Sequence, residues 1–340
     1  MGLHGSGSHF FMGDENTYGI SNRELARSDI RMAMEGEKPH LIDEWQEVPR
    51  IWDAVRSDID RRGEKGAYIL TGSAMPKVEP DDRPIHSGAG RIVRVHMHTM
   101  SLYESGDSTG SVSLGSIMAS EPMELVDEGT DLDRLVDLVI SGGWPGNLDL
   151  DPEDRAFAVR GYLESVIKDA CHLDDVRRKE PSFWLVVRSL ARNESTLASM
   201  SKVHKDTGIP LERDVPLILD GMESDTEPGL SYDTVTDYVD ALNRLYLLED
   251  QPAFDPNLRS SVRVGKTPKR HFTDPSLAVA ALKVGKERLL NDPNTFGFLF
   301  EAMCERDLRI YAQSIGANLF HYRDSSGMEV DAIVELENGA

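Results

Sequence analysis

Apolar and polar positions change period several times along the chain, and each change marks an element. Residues 22–36, "NRELARSDIRMAMEG", carry a helical pattern, and after the breaker Pro39 the run "HLIDE" reads as a strand. In "VPRIWDAVRSDIDRRG", Val48, Ile51, Trp52, Val55 and Ile59 recur at spacings of three and four, one apolar helix face that stops at Gly63. "AYILTGSA" is a buried-type strand that runs into a Gly-Ser turn. A Pro, Asp and Gly rich loop from 76 to 90 leads to "RIVRVHMHTM", whose alternation suits a third strand. Strand, helix, strand, loop, strand is the rhythm of a parallel α/β sheet.

From about residue 131 the pattern turns helical. "LDRLVDLVISGG", "RAFAVRGYLESVIKDACHL" and "SFWLVVRSLARN" predict a helical lid or linker beyond the sheet. "TLASMSKVHKDTG" and "SYDTVTDYVDALNRLYLLEDQPAF" give a helix, a break and a longer helix that ends in an apolar strand. That is the order of a winged helix-turn-helix, here with an acidic insertion from about 209 to 230. "KRHFTDPSLAVAAL", "FGFLFEAMCERDLRIYAQSIG" and "ANLFHYRDSSGMEVDAIVELENGA" predict strand, helix, helix and a β-hairpin. The expected divisions are a loose tail or tag at 1–21, a sheet domain at 22–125, a helical lid at 126–192, a winged-helix-like domain at 193–255 and an α/β domain at 256–340.

Composition narrows the function classes. A chain of 340 residues exceeds one ordinary core. Its 37 Lys plus Arg against 59 Asp plus Glu give a formal net charge of -22, which repels polyanions at long range. Nucleic acid must therefore meet a local basic patch. Cys171 and Cys304 lie far apart with no metal-type spacing, which argues against a disulfide framework and a structural zinc and makes a reducing cytoplasm the expected compartment. No run reaches the roughly 18 apolar residues that a helical membrane span needs, so no membrane partner is expected. The opening "MGLHGSGSHFF" is Gly, Ser and His rich, hence its reading as a tail.

Candidate chemistry begins at Asp43 and Glu44, adjacent carboxylates that close a buried-type strand. In a phosphate-loop ATPase one such acid holds the magnesium water shell and the next polarises the attacking water. Two acids at a helix start, where they complement the dipole, are the alternative. The following strand ends in Thr71 and Ser73, and "GAGR" places Arg91 at the mouth of the third. Ligands in open α/β sheets bind at this C-terminal edge.

With these pieces in view the chain resembles bacterial and archaeal AAA-type ATPases joined to a C-terminal domain of unknown function with a restriction-endonuclease-like core. The residues that carry the resemblance are "LIDEWQEVPRIWDAVR", "YILTGSA", "HSGAGRIVRVHMHTMSLYESG", "SGGWPG", "DTVTDYVDALNRLYLLEDQPAF", "KRHFTDPSLAVAAL" and "GMEVDAIVE", in the expected order over about residues 38 to 340. The resemblance implies an α/β fold made of a partial P-loop NTPase parallel sheet, a helical lid, a winged helix and a C-terminal restriction-endonuclease-like α/β domain. It implies ATP and magnesium as ligands, Asp43 as the magnesium acid, Glu44 as the catalytic base, Ser73 as a sensor and Arg91 as an arginine finger or sensor. "SGGWPG", around Gly143 and Trp144, becomes a turn in the lid.

Two departures qualify that reading. The family carries a G-x-x-x-x-G-K-[ST] loop whose amides and lysine cradle the phosphates, and nothing before Pro39 supplies one. The "GKT" at Gly265 to Thr267 is a decoy, because Ser260 replaces the upstream glycine and Pro268 blocks the helix that should start there. Nucleases of the PD-(D/E)xK type bind metal through an acid on a hairpin strand and a following E-x-K. Asp331 fits the first acid and metal ligand, and Glu301 fits a helix acid that joins such a site, but no E-x-K follows. The chain is expected to be an internal piece of a longer protein that itself hydrolyses little or no ATP.

Other constellations carry less. His96 and His98 share a strand face and could bind metal, although no third ligand is visible. Arg244, Arg259, Arg263, Lys266, Lys269 and Arg270 could contact DNA phosphates, yet Asp233, Asp237 and Asp240 lead the would-be recognition helix. Tyr103 and Glu104 read as packing and capping, and the two cysteines as buried small side chains. Three functions stay open: a fragment of an ATPase, a protein that cuts or grips DNA through its C-terminal domain, and a non-catalytic binding or regulatory module with decayed sites. A protein partner or self-association also stays open.

Overall fold

The computed structural model describes residues 5–15, 19–74, 88–122, 129–172, 178–208, 229–261, 263, 266–324, 326–336 and 339. The chain divides into two compact units, residues 1–97 with 244–246, and residues 98–243 with 247–340.

The first unit is built on three parallel strands, β1 (Ser8–Phe11), β2 (His40–Asp43) and β3 (Tyr68–Leu70), in the order β1-β2-β3. Ser8 pairs with His40 and Phe11 with Asp43, while His40 pairs with Tyr68 and Ile42 with Leu70. Helix α1 (Asn22–Ser28) is capped by Ser21, whose hydroxyl accepts from Glu24 N–H. Helix α2 (Ile51–Arg62) buries Ile51, Trp52 and Val55, and stops at Gly63, whose φ of 68° lets its N–H reach back to Ile59 O. Met12, Ala26, Ala33, Ile42, Val48, Ile51 and Val55 form the core, with Phe10, Trp45 and Leu70 packed against it.

Two expectations are corrected here. Residues 8–11 are not a loose tail: Phe10 and Met12 bury apolar surface against the core, and β1 pairs with β2 along its whole length. Apolar residues at 10 to 12 outweigh the Gly and Ser that precede them. Conversely, "RIVRVHM" forms no strand. Val93, Val95 and Met97 are 88%, 78% and 83% exposed. The alternation is present, but among the described residues no strand lies beyond β3 in this sheet to pair with it.

The second unit is mainly helical: α3 (Leu114–Met118), α4 (Leu132–Ser141), α5 (Pro152–Ala170), α6 (Glu180–Arg192), α7 (Met200–Thr207) and α8 (Tyr232–Arg244, its last residue in the first unit). Then come β4 (Leu248–Gln251), β5 (Lys269–Phe272), α9 (Pro275–Leu282), α10 (Lys286–Asn291), α11 (Pro293–Ser314), β6 (Ala317–Arg323) and β7 (Glu329–Leu336). β4 and β5 pair antiparallel, as do β6 and β7. "PSLAVAAL" is apolar on every side, so α9 is the buried axis, packed by α4, α5, α6 and α11. The stretches that the sequence divides at 192/193 and 255/256 thus share one unit. Most of the acidic insertion, 209–228, lies outside the described residues.

The turn "SGGWPG" follows α4 and has a specific seat. Gly142 has φ of 63°, and a Cβ on Gly143 would collide with the Met100 backbone. Asp274, fully buried, accepts from Gly143 N–H at 2.9 Å, Thr99 Oγ1 at 2.9 Å, Ser276 Oγ at 2.6 Å and Arg306 Nη1 at 2.9 Å. Burial alone would raise the Asp274 pKa, but the Arg306 charge and these donors hold it below the ordinary carboxylate value. The turn is fixed by a paired charge, as a buried carboxylate requires.

Candidate functional site

β2 ends at Asp43, and the chain turns there through Glu44, which sits in the left-handed region with φ of 54° before a short 3-10 turn, Trp45–Glu47. That conformation is costly for a residue with a Cβ, and it is held by Trp45 N–H donating to Thr71 O at 3.1 Å and Val48 N–H to Trp45 O. The turn aims the two neighbouring carboxylates separately at the segment that leaves β3.

Thr71 Oγ1 donates to Asp43 Oδ1 at 2.5 Å. Ser73 donates to Glu44 Oε2 through its hydroxyl at 2.9 Å and its N–H at 3.4 Å. Gln46 Nε2 donates to the same Glu44 oxygen and to Ser73 Oγ at 3.3 Å. The other oxygen of each acid, Asp43 Oδ2 and Glu44 Oε1, takes no hydrogen bond among the described residues. Each carboxylate therefore has one oxygen fixed and one to offer, the division needed for holding a hydrated cation or taking a proton.

Asp43, Glu44, Thr71 and Ser73, all candidates from the sequence, come together at one sheet edge. Arg91 does not join them: its Nε donates to Asp60 Oδ1 on α2 at 2.8 Å and its Nη1 to Ala89 O. The sequence reading missed Gln46. The signal was its place two residues after Glu44, which a turn rather than a regular helix brings back beside the acid.

A second constellation lies in the other unit, on β5, α11 and β7. Lys269 is 1% exposed, and its Nζ lies 2.5 Å from Glu301 Oε1, 2.9 Å from Asp331 Oδ1, 3.6 Å from Glu305 Oε1 and 3.9 Å from Glu329 Oε1. Burial favours the neutral amine, but these carboxylates outweigh it and raise the Lys269 pKa. Glu301 is pushed up by burial despite its bond to Lys269. Glu301 and Asp331 do meet, as the sequence suggested, but around an ammonium. Among the described residues no set of three ligand atoms gathers around Asp331 within the span of one ion.

Beside Lys269 on β5, His271 lies between Glu194 Oε1 at 3.0 Å and Glu305 Oε2 at 2.6 Å. Burial lowers its pKa, and the two glutamates overcome that and bring it to about 9. Strand alternation, which puts Lys269 and His271 on one inward face with Arg270 on the other, was the sequence signal for both. Of the basic residues considered for DNA, Arg263 pairs with Glu335, Arg270 with Asp250, and Lys266, from the decoy "GKT", donates to Arg323 O. Gly265 of that motif lies outside the described residues. On α8, Asp237 pairs with buried Arg178.

Residues 8–106 match the family model described as AAA domain, and residues 132–288 match a domain of unknown function (DUF8612). The first match supports an AAA-type ATPase region that spans the whole Asp43 and Glu44 site. No curated protein and no solved structure matches the chain. No helix among the described residues is long and apolar enough to cross a membrane.

Proposed function

We propose that residues 8–106 form the catalytic-acid side of an AAA-type ATPase, cytoplasmic, with ATP as substrate and magnesium as its cofactor. The observation that carries this reading is the pair of grips at one sheet edge, Thr71 on Asp43 and Ser73 on Glu44. A helix-start pair of acids would need no such partners from the next strand.

Asp43, itself part-buried, fits magnesium because it offers a hard oxygen, Oδ2, while Oδ1 is held. Bound there with the phosphates, magnesium supplies charge neutralisation of the β and γ oxygens. Glu44 acts on water: the water oxygen bonds to the γ-phosphorus, the bond from that phosphorus to the β-γ bridging oxygen breaks to release ADP, and the water proton passes to Glu44 Oε1. Ser73, bonded to the opposite oxygen, keeps Oε1 turned outward. No G-x-x-x-x-G-K-[ST] loop lies ahead of Asp43 in this sequence, so turnover is tested in a chain that also carries one. Glu44→Gln in that chain should cut ATP turnover by about 100-fold or more, and turnover unaffected by the change would refute the assignment.

For the second unit we infer a non-catalytic binding or regulatory role. Lys269 favours this over DNA cleavage, because it already neutralises the acids that a nuclease would give to metal. Divalent-metal-dependent nicking of DNA that disappears on Asp331→Ala would overturn it.

A further inference from the structure

The carboxamide of Gln46 has a built seat. A Cβ on Gly72 would collide with Gln46 Oε1 and come within 3.3 Å of Trp45 Nε1, so the glycine of "TGS" makes room for the amide that follows "DE" in "DEWQ". On its other side Nε2 is committed to Glu44 Oε2 and Ser73 Oγ. Oε1 is buried and has no hydrogen-bond partner among the described residues, and the bonds of Nε2 set the orientation of the amide: a flipped carboxamide would put an oxygen against the Glu44 carboxylate.

We propose that Gln46 is a positioning residue for Glu44, one that works with Ser73 to hold Glu44 Oε2 and leave Oε1 as the oxygen that takes the water proton. This rests on the ATPase reading and goes beyond it by assigning the alignment of the acid to a side chain outside the strand-end residues. Three donors converge on Oε2: the Ser73 hydroxyl, the Ser73 N–H and the Gln46 amide. A carboxylate oxygen with that many donors cannot rotate into the place of its partner without breaking all of them. Gln46 also donates to the oxygen of the very hydroxyl that donates to Glu44, so it orients the Ser73 proton as well as the acid. Losing Gln46 removes one of the three donors and the bond that orients the Ser73 hydroxyl, which leaves Glu44 in place on the turn with a looser terminal bond and leaves the nucleotide's contacts untouched.

The test compares Gln46→Leu, Ser73→Ala, the double variant, Gly72→Ala and Glu44→Gln for ATP turnover in the chain with its phosphate loop. In parallel, side-chain amide resonances of Gln46 are followed in the 340-residue protein. Gln46→Leu should lower kcat by about 10-fold or more with KM for magnesium-ATP within about 2-fold, and the double variant should lose less than the product of the singles. Gly72→Ala, which displaces the amide without removing it, should reproduce the kcat loss. Glu44→Gln should shift the Gln46 amide resonances.

Turnover that collapses on Glu44→Gln but not on Gln46→Leu or Gly72→Ala would overturn the role of Gln46 and leave the ATPase reading standing. Turnover that is absent, or indifferent to Glu44→Gln, would overturn both. A rise in KM with kcat unchanged would make Gln46 a nucleotide contact and reject the positioning role.

Discussion

Lys269 donates from Nζ to Asp331 Oδ1 at 2.9 Å, so the acid that the sequence marks as a metal ligand is already paired with a buried side-chain cation. Four carboxylates approach that ammonium, and removing it would leave Glu305 and Glu301 facing one another with little solvent. Lys269→Met should cost about 3 to 5 kcal/mol in urea denaturation, the range for breaking a buried ion pair on one side. A loss under about 1 kcal/mol would mean that the cluster is wetter and looser than its geometry.

His271 sets a pH limit. Its folded pKa of about 9 lies above the ordinary histidine value of 6.5, so the charged form is the one stabilised, by Glu194 and Glu305. The contribution is complete below about pH 6.5 and disappears as pH rises through 9, on the order of 3 kcal/mol for a shift of that size. Denaturation midpoints measured from pH 6 to 10 should fall across that window in the wild type and fall less in His271→Gln. Lys269 next to it also titrates only above its ordinary value, so its charge persists through the same window.

The turn after α4 gives a paired glycine test. Gly143→Ala should destabilise by about 1 to 3 kcal/mol, because its Cβ would meet the Met100 carbonyl. Gly146→Ala, with open space around the added methyl, should stay within about 0.5 kcal/mol. Equal losses would contradict the close approach of residue 143 to residue 100.

Much of this was legible in the sequence because it rests on period. The face of Ile51, Trp52, Val55 and Ile59 marked α2, which starts after Val48, and Gly63 marked its end. Asp43, Glu44, Thr71 and Ser73 could be placed at one edge because parallel strands share a direction. Arg91 could not be placed: its position depends on a strand pairing that the described residues do not make, and it turns to Asp60 instead. Gln46 was missed because a turn, not a periodic element, brings it back beside Glu44. Lys269 was read as a DNA-phosphate contact, because strand alternation shows which face it takes and not which acids of other elements it meets there.

Hydrogen exchange probes β3 directly. Thr71 N–H donates to Ile42 O at 3.0 Å, and strand alternation sends the Leu70 N–H to the opposite side. Thr71 should exchange at least about 10-fold more slowly than Leu70, a modest bound for one bonded against one unbonded amide. Equal protection of the two would mean that the far edge of β3 is also paired.

The central claim is that Asp43 and Glu44 have separate tasks on one nucleotide. The most direct measurement is magnesium-ATP affinity beside turnover, for Asp43→Asn and Glu44→Gln in the chain with its phosphate loop. The account predicts that Glu44→Gln binds magnesium-ATP as tightly as the wild type while hydrolysing almost none, and that Asp43→Asn weakens magnesium-dependent binding itself. Two variants that bind and hydrolyse like the wild type would reduce the pair to the start of a turn.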